Sequence, residues 1–495
     1  MRITGRFIRF LQIPSREGCS LWAGRGIVRA ISPPNPLKFN VVLNSLFRGK
    51  KIFFSGVGGS GVSALANFAL EKGAIVSGSD RAFDLNPSHP VRRALEKKIK
   101  IFPQDGSGID KSLDHAVFST AVEAEVPEIK RAGELGIPLF SRPQYLSMLV
   151  REFKTIAVAG TSGKSTASGL LAFLMERLAL RPNFIGGGRV KALRTDSNPG
   201  NSLAGDSDWL VVEACESDGS ITEYRPLHSI ILNLELDHHS IGETAGMFND
   251  LIRGTEGLVF VNSDDPNLSK LELKNPVTFG IENEARYRAE GVICRLFKSG
   301  FTLNGVTMTL SVPGKYNIYN ALPAIALLSE MGIPLRDIAS ALPEFTGIER
   351  RFDVHLNGER LVIDDYAHNP HKIASLMTAV ANVKENICYI FQPHGYGPTR
   401  MMKDEYIRTF AEKLRPGDNL LILPIFYQGG TAKRDISSED LARGIRDMGR
   451  SAEALVSREA LLRGPLKWEN YIVMGARDET LSELAAEIAA RLRDE

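Results

Sequence analysis

From Lys50 onward, short apolar runs alternate with longer stretches whose apolar residues recur at helical spacing. The runs Lys50 to Ser55, Ile75 to Ser79, Ala116 to Thr120 and Ile137 to Phe140 read as buried strands, with helices expected over Val62 to Lys72 and Pro127 to Leu135. The pattern repeats with strands at Thr155 to Ala159, Trp209 to Glu213, His228 to Leu234 and Leu258 to Asn262, and a helix over Ala167 to Leu180. Between Val277 and Leu310 apolar and polar residues alternate in short runs broken by Gly and Asn, which predicts a small β layer; a helix through Ala321 to Met331 follows. Four more strands, Arg360 to Ile363, Asn386 to Phe391, Asn419 to Leu423 and Asn470 to Met474, close the chain. Continuous apolar strands alternating with helices imply an α/β protein with mostly parallel sheets. A length of 495 residues implies about three units. The expected division is a basic extension over 1–48, a Rossmann-like unit over 49–152, a central unit over 153–341 and a second Rossmann-like unit over 342–495.

Candidate chemistry sits where those strands end. The stretch Gly160-Thr161-Ser162-Gly163-Lys164-Ser165-Thr166 lies between an expected strand and helix. A glycine-rich turn there aims backbone N–H groups and a helix N-terminus at one spot suited to a phosphate chain. Lys164 adds a cation for the terminal phosphates and Ser165 a hydroxyl for Mg²⁺. Val158 stands where the full phosphate-loop pattern carries its first glycine, so the loop is a shortened variant beginning at Gly160. Glu213 and His238 each follow a strand end, which puts both on the ligand side of the sheet. A carboxylate and an imidazole beside a phosphate loop make a candidate Mg²⁺ or Mn²⁺ site, and His239 is expected to face solvent or to support its neighbour. Asn317 and Asn320, three apart on a helix, could present carboxamides to adenine, although Asn317 taken alone reads better as a helix cap. Earlier, Gly56-Val-Gly58-Gly59-Ser60-Gly61 with Asp80 matches a dinucleotide-binding fingerprint, but such a loop accepts any diphosphate.

Charge changes the picture only at the N-terminus. Net charge is +2, yet the first 48 residues hold eight Lys/Arg against the single acid Glu17, so the remainder carries −5. The basic surplus is confined to a tail, which argues against a nucleic-acid-binding body. That tail is acid-poor and broken by Ser32-Pro-Pro-Asn-Pro36; it suits a transit peptide, and is read in preference as a disordered extension or an upstream start. Cys19, Cys215, Cys294 and Cys388 are widely spaced, so neither a zinc knuckle nor a disulfide framework is expected. No run approaches the ~18 apolar residues of a membrane span. A cytoplasmic protein without membrane insertion is expected.

Eight motifs in order resemble the Mur ligase family: Gly56 to Ala66 with Ser77 to Asp80, Ala159 to Thr166, Val211 to Asp218, Asn233 to His239, Pro313 to Ala326, Gly347 to Asp353, Asp364 to Pro370 and Gln392 to Tyr396. Within it the chain is most similar to the type that joins L-alanine to UDP-N-acetylmuramate in peptidoglycan synthesis. The resemblance implies an ATP-dependent carboxylate-amine ligase working through an acyl phosphate, with ATP, a UDP-sugar carboxylate and an amino acid as small-molecule partners, in a monomer or weak homo-oligomer. It implies Lys164, Glu213 and His238 as the catalytic set, with Ser165, Glu213 and His238 holding metal. It further implies Asn320, Arg351 and Asp365 on the nucleotide, Gly58 to Gly61 with Asp80 and Ser119 on the uridine diphosphate, and Tyr366, His368 and His394 toward the acceptor. The alanine-adding type reads H-R-Y-T-R after Gln-Pro; this chain has His394-Gly395-Tyr396-Gly397-Pro398, so both arginines expected to clamp the acceptor carboxylate are absent. A fork-shaped bidentate contact is not replaced by Lys or His, and Arg400 could serve only from a rebuilt loop. Other readings are a degenerate relative that binds without turnover, a ligase for a different carboxylate outside cell-wall synthesis, and an NAD-dependent oxidoreductase; the last accounts for one motif alone.

Overall fold

The computed structural model describes residues 46–494 apart from 88, 121, 123, 124, 197, 237, 238 and 428–432. Nearly all of the basic extension expected over 1–48 therefore lies outside the described residues. Three sheets follow one another along the chain. The first contains β1 (Lys51–Ser55), β2 (Ile75–Ser79), β3 (Lys100–Phe102), β4 (His115–Phe118) and β5 (Leu139–Ser141), in the order β3-β2-β1-β4-β5 and parallel throughout. Strand order reverses between β1 and β4, and the glycine loop leads from β1 into helix α1 (Ser60–Glu71) at that switch point.

The second sheet comprises β6 (Lys154–Ala159), β7 (Asn183–Ile185), β8 (Ser202–Ala204), β9 (Trp209–Glu213), β10 (His228–Ile231), β11 (Val259–Asn262), β12 (Val277–Gly280), β13 (Tyr287–Arg295), β14 (Lys298–Leu303) and β15 (Val306–Leu310). Its order is β15-β14-β13-β12-β11-β10-β6-β9-β7-β8. The small β layer expected over 277–310 is the antiparallel meander β13–β15, joined edge-on to the parallel sheet through β12. Helix α2 (Arg142–Glu152) leads into β6, whose C-terminus opens into α3 (Lys164–Arg177). From Ser165 to Met175 every residue of α3 is buried, because it lies under α4 (Lys315–Glu330) as well as on the sheet. A helix enclosed on all sides has no polar stripe, which explains why only the small hydroxyl residues Ser165, Thr166 and Ser168 interrupt the apolar and glycine positions of its buried stretch.

The third sheet holds β16 (Asp353–Leu356), β17 (Leu361–Asp365), β18 (Ile387–Gln392), β19 (Asn419–Ile422), β20 (Ala452–Ala454) and β21 (Asn470–Gly475), in the order β16-β17-β21-β18-β19-β20. Only β16 runs antiparallel. Each predicted strand is present to within a few residues, whereas the short strands β3, β7, β8, β16 and β20 have no predicted counterpart.

Polar contacts fix the units to one another. Lys72 donates to the Gly205 carbonyl (2.6 Å), Asn198 to Glu71 (2.8 Å), and Asn201 to Ser63 Oγ and the Ser60 carbonyl (3.1 Å each). Arg142, at the start of α2, pairs with Asp218 beyond β9 (2.5 Å). On the other side Arg189 meets Glu349 and Glu479 (3.3 Å each), and Lys191 meets Asp353 (2.8 Å). Between them lies a cavity of about 180 Å³, lined from all three parts by Ser60, Gly187–Arg189, Ile348–Arg351, Tyr366 and Glu479.

Candidate active site

The turn after β6 is built from glycines at positive φ. Gly163 has φ +85°, and a Cβ there would stand 2.2 Å from Asn320 Oδ1, so α4 presses its carboxamide against the loop. Asn233, just beyond β10, completes the support: its Oδ1 accepts from the Ser162 amide (2.8 Å) and its Nδ2 donates to the Ser162 carbonyl (3.0 Å). Thr161 Oγ1 accepts from the Glu235 amide (2.9 Å). A loop anchored from below by the neighbouring strand is pre-shaped before any anion arrives.

Lys164 folds over this loop. Its Nζ donates to the Gly160 carbonyl (2.6 Å) and to both oxygens of Glu216 (2.9 and 3.1 Å). Glu216 is almost fully buried, and the reading from sequence left it unassigned. Ser165 Oγ lies 3.2 Å from Glu213 Oε2, whose other oxygen accepts from the Gly187 amide (2.7 Å). Arg351 reaches across from the third unit to donate to Ser165 Oγ (3.1 Å). Thus Lys164, Ser165, Glu213 and Arg351 are brought together. Thr166 is buried on α3 behind them. His238 falls outside the described residues; His239 is half-buried with Nε2 shielded from solvent. Among the described residues no cluster of three His, Cys, Asp or Glu forms a ready-made metal cage. A hydroxyl beside a fixed carboxylate is nevertheless a hard oxygen donor pair, which fits Mg²⁺ completed by phosphate oxygens and water.

Asn320 is buried and donates weakly to Asn317 Oδ1 (3.5 Å). Asn317 is not the cap of α4: Gly314 occupies that position, and Asn317 Nδ2 donates back to the Pro313 carbonyl (2.7 Å). Asp365 accepts from the Phe352 and Ala367 amides (2.7 Å each), holding the turn that projects Arg351. Its neighbour Arg350 is buried on Asp364 (3.1 Å) and the carbonyls of Gly475 (2.7 Å) and Asp478 (2.9 Å).

In the first unit Asp80 organises the glycine loop: Oδ2 accepts from the Gly58 amide (2.8 Å) and Oδ1 from Ala82 (2.9 Å). Gly59 and Ser60 face solvent, and Gly61 lies against Arg142. A Cβ at Gly56 would stand 2.8 Å from Ser119 Cβ, so the β1 and β4 turns touch. In the third unit Tyr366, His368 and His394 form a chain of rings, with centroids 5.5 and 5.4 Å apart. Burial, and then the charge of Arg477, lower the proton affinity of His394. Arg400, the possible substitute for the absent clamp, is committed to Asp435 and the Lys433 carbonyl.

Three consecutive family matches cover this arrangement: the Mur ligase family catalytic domain over 51–154, the Mur ligase middle domain over 158–328 and the Mur ligase glutamate ligase domain over 350–469. The UDP-N-acetylmuramate–L-alanine ligase of Thermosynechococcus vestitus is 33% identical over 442 residues, 84% of this chain and 90% of that protein. The chain belongs to the Mur ligase family. The enzyme of the same name from Persephonella marina is 32% identical over 455 residues, covering 88% of this chain and 96% of its own. Among solved structures, the UDP-N-acetylmuramate–alanine ligase of Thermotoga maritima matches with a TM-score of 0.75 at 27% identity, over 90% of this Mur ligase and 99% of that chain. A murein peptide ligase from Psychrobacter arcticus shares the fold, with a TM-score of 0.65 at 22% identity over 90% and 99% of the two chains. No described helix of this Mur ligase is long and apolar enough to cross a membrane.

Proposed function

We propose that this chain joins an amino acid, L-alanine first among them, to the carboxylate of UDP-N-acetylmuramate at the expense of ATP. The observation that carries the reading is the meeting of Lys164, the Ser165–Glu213 pair and Arg351 beside a cavity walled by all three units. A carboxylate oxygen attacks the γ-phosphorus of ATP, ADP leaves, and an acyl phosphate forms. The amine then attacks the acyl carbon, phosphate departs, and the amine proton is lost to a base. The obstacle to the first step is repulsion between two anions; Arg351 supplies positive charge where they meet, and Lys164 adds its own as phosphate oxygens displace Glu216 from its ammonium. Mg²⁺ held by Ser165 and Glu213, with His238 in reach by sequence, would neutralise further phosphate charge. Ser162, Gly163 and Asn320 cradle the nucleotide, and Gly58 to Gly61 with Asp80 and Ser119 face the uridine diphosphate.

Phosphate release with ATP and Mg²⁺ should require both UDP-N-acetylmuramate and an amino acid. Release unaffected by leaving out either would count against the proposal. The loss of arginine at Gly395 and Pro398 favours one second reading, a relative that binds nucleotide and sugar without turnover. Tight ATP binding with no turnover across a panel of amino acids would support it.

A further inference from the structure

Resting on the ligase reading above, we infer that Arg477 binds the carboxylate of the incoming amino acid, in place of the two arginines missing from the 394–398 loop. Strand β21 lies between β17 and β18, and all three run parallel. Their following turns carry Arg477, then Tyr366 with His368, and His394, so strand order sets Arg477 between the residues expected at the acceptor. The contacts agree: the Arg477 amide donates to Tyr366 Oη (3.3 Å), and Tyr366, His368 and His394 form one continuous row of rings. Tyr366 in turn lines the cavity shared by the three units.

Every other arginine in this corner is engaged. Arg350 is bonded to Asp364, Arg351 to Ser165, Arg189 to Glu349 and Glu479, Arg400 to Asp435, and Arg458 to Asp478 and Thr480, while the Arg434 guanidinium lies over the rings of Tyr396 and Tyr427 (5.8 and 5.2 Å). Among the described residues the Arg477 guanidinium is exposed and has no carboxylate partner. It also sits at φ +68°, a backbone conformation costly for a residue with a Cβ and held here by the contacts around it. A planar fork with free donors, projected from a strained turn beside the acceptor residues, is the group a free carboxylate would seek.

The test is steady-state kinetics of the full-length enzyme, comparing L-alanine with L-alaninamide, in wild type, Arg477→Gln and Arg477→Lys. The inference predicts that Arg477→Gln raises KM for L-alanine about 10²-fold, leaves KM for ATP and UDP-N-acetylmuramate within about twofold, and loses most of the wild-type preference for acid over amide. Arg477→Lys should fall between, keeping charge but not the fork. An active wild type whose Gln variant retains both its L-alanine KM and its acid-over-amide preference overturns this inference alone. A wild type that turns over no amino acid overturns the ligase reading and the inference together.

Discussion

Replacing Gly163 with alanine tests the phosphate loop at its tightest point. Two costs add. At φ +85° an L-residue costs about 1–2 kcal/mol relative to glycine. The new methyl would also stand 2.2 Å from Asn320 Oδ1, inside any tolerable contact, so the loop and α4 must separate by about an ångström. Asn320 is buried and held by one long hydrogen bond, so it is the part that gives way, at a further cost of about 1–2 kcal/mol. At roughly 2–4 °C per kcal/mol for a unit of this size, the melting temperature should fall by about 4–16 °C. Displacing the nucleotide by the same distance should raise KM for ATP or lower kcat by about 10²-fold. Calorimetry and a coupled phosphate assay read the two effects. In Gly163→Ala/Asn320→Ala the overlap is gone, so stability should return to the backbone cost alone while ATP binding stays weak. A single variant melting within a degree of wild type, with unchanged ATP kinetics, would refute the reasoning.

Three further outcomes follow from the same geometry. Lys164→Met and Glu213→Gln should each lower kcat by about 10²-fold or more, with Glu213→Gln also demanding more Mg²⁺ for half-maximal rate, read by titrating the metal. Arg350→Leu should cost about 3–5 kcal/mol in urea unfolding, because it strands Asp364 fully buried beside Asp353 and Asp365; Arg350→Leu/Asp364→Leu should regain most of it. His228 is held neutral by burial at a pKa of about 4, and its Nδ1 accepts from the Leu258 amide (3.0 Å). The unfolded chain, titrating near 6.5, binds the proton first as pH falls, so stability is full above about 6.5 and drops by about 1–3 kcal/mol on the way to pH 4. His228→Gln should flatten the melting-temperature profile in that window, and an unchanged slope would remove His228 as its source.

The central strands, such as β6, β9, β18 and β21, were legible because they are buried on both faces and spell continuous apolar runs bounded by turns, and the residues just past their ends were legible with them. Ser165 and Glu213 could be paired from sequence for this reason. Glu216 could not: its meeting with Lys164 depends on β9 lying directly beside β6, an adjacency that local pattern does not encode. Asn233 was hidden in the same way, as a polar residue after a strand whose partner is another loop. Asn317 read as a cap because the Pro-Gly turn before it gave no hint that Gly314 starts the helix. For the acceptor carboxylate, chain proximity pointed to Arg400, whereas strand order brings Arg477 to the place from eighty residues away.

The central claim is that a fixed cationic cradle lets a carboxylate take a phosphoryl group from ATP. Oxygen-18 placed in the carboxylate of UDP-N-acetylmuramate tests it most directly, with the released phosphate weighed by mass spectrometry after turnover with ATP and L-alanine. The account predicts one labelled oxygen in each phosphate formed, and loss of turnover with Lys164→Met. Phosphate released without label, at the same rate as amide product, would contradict it.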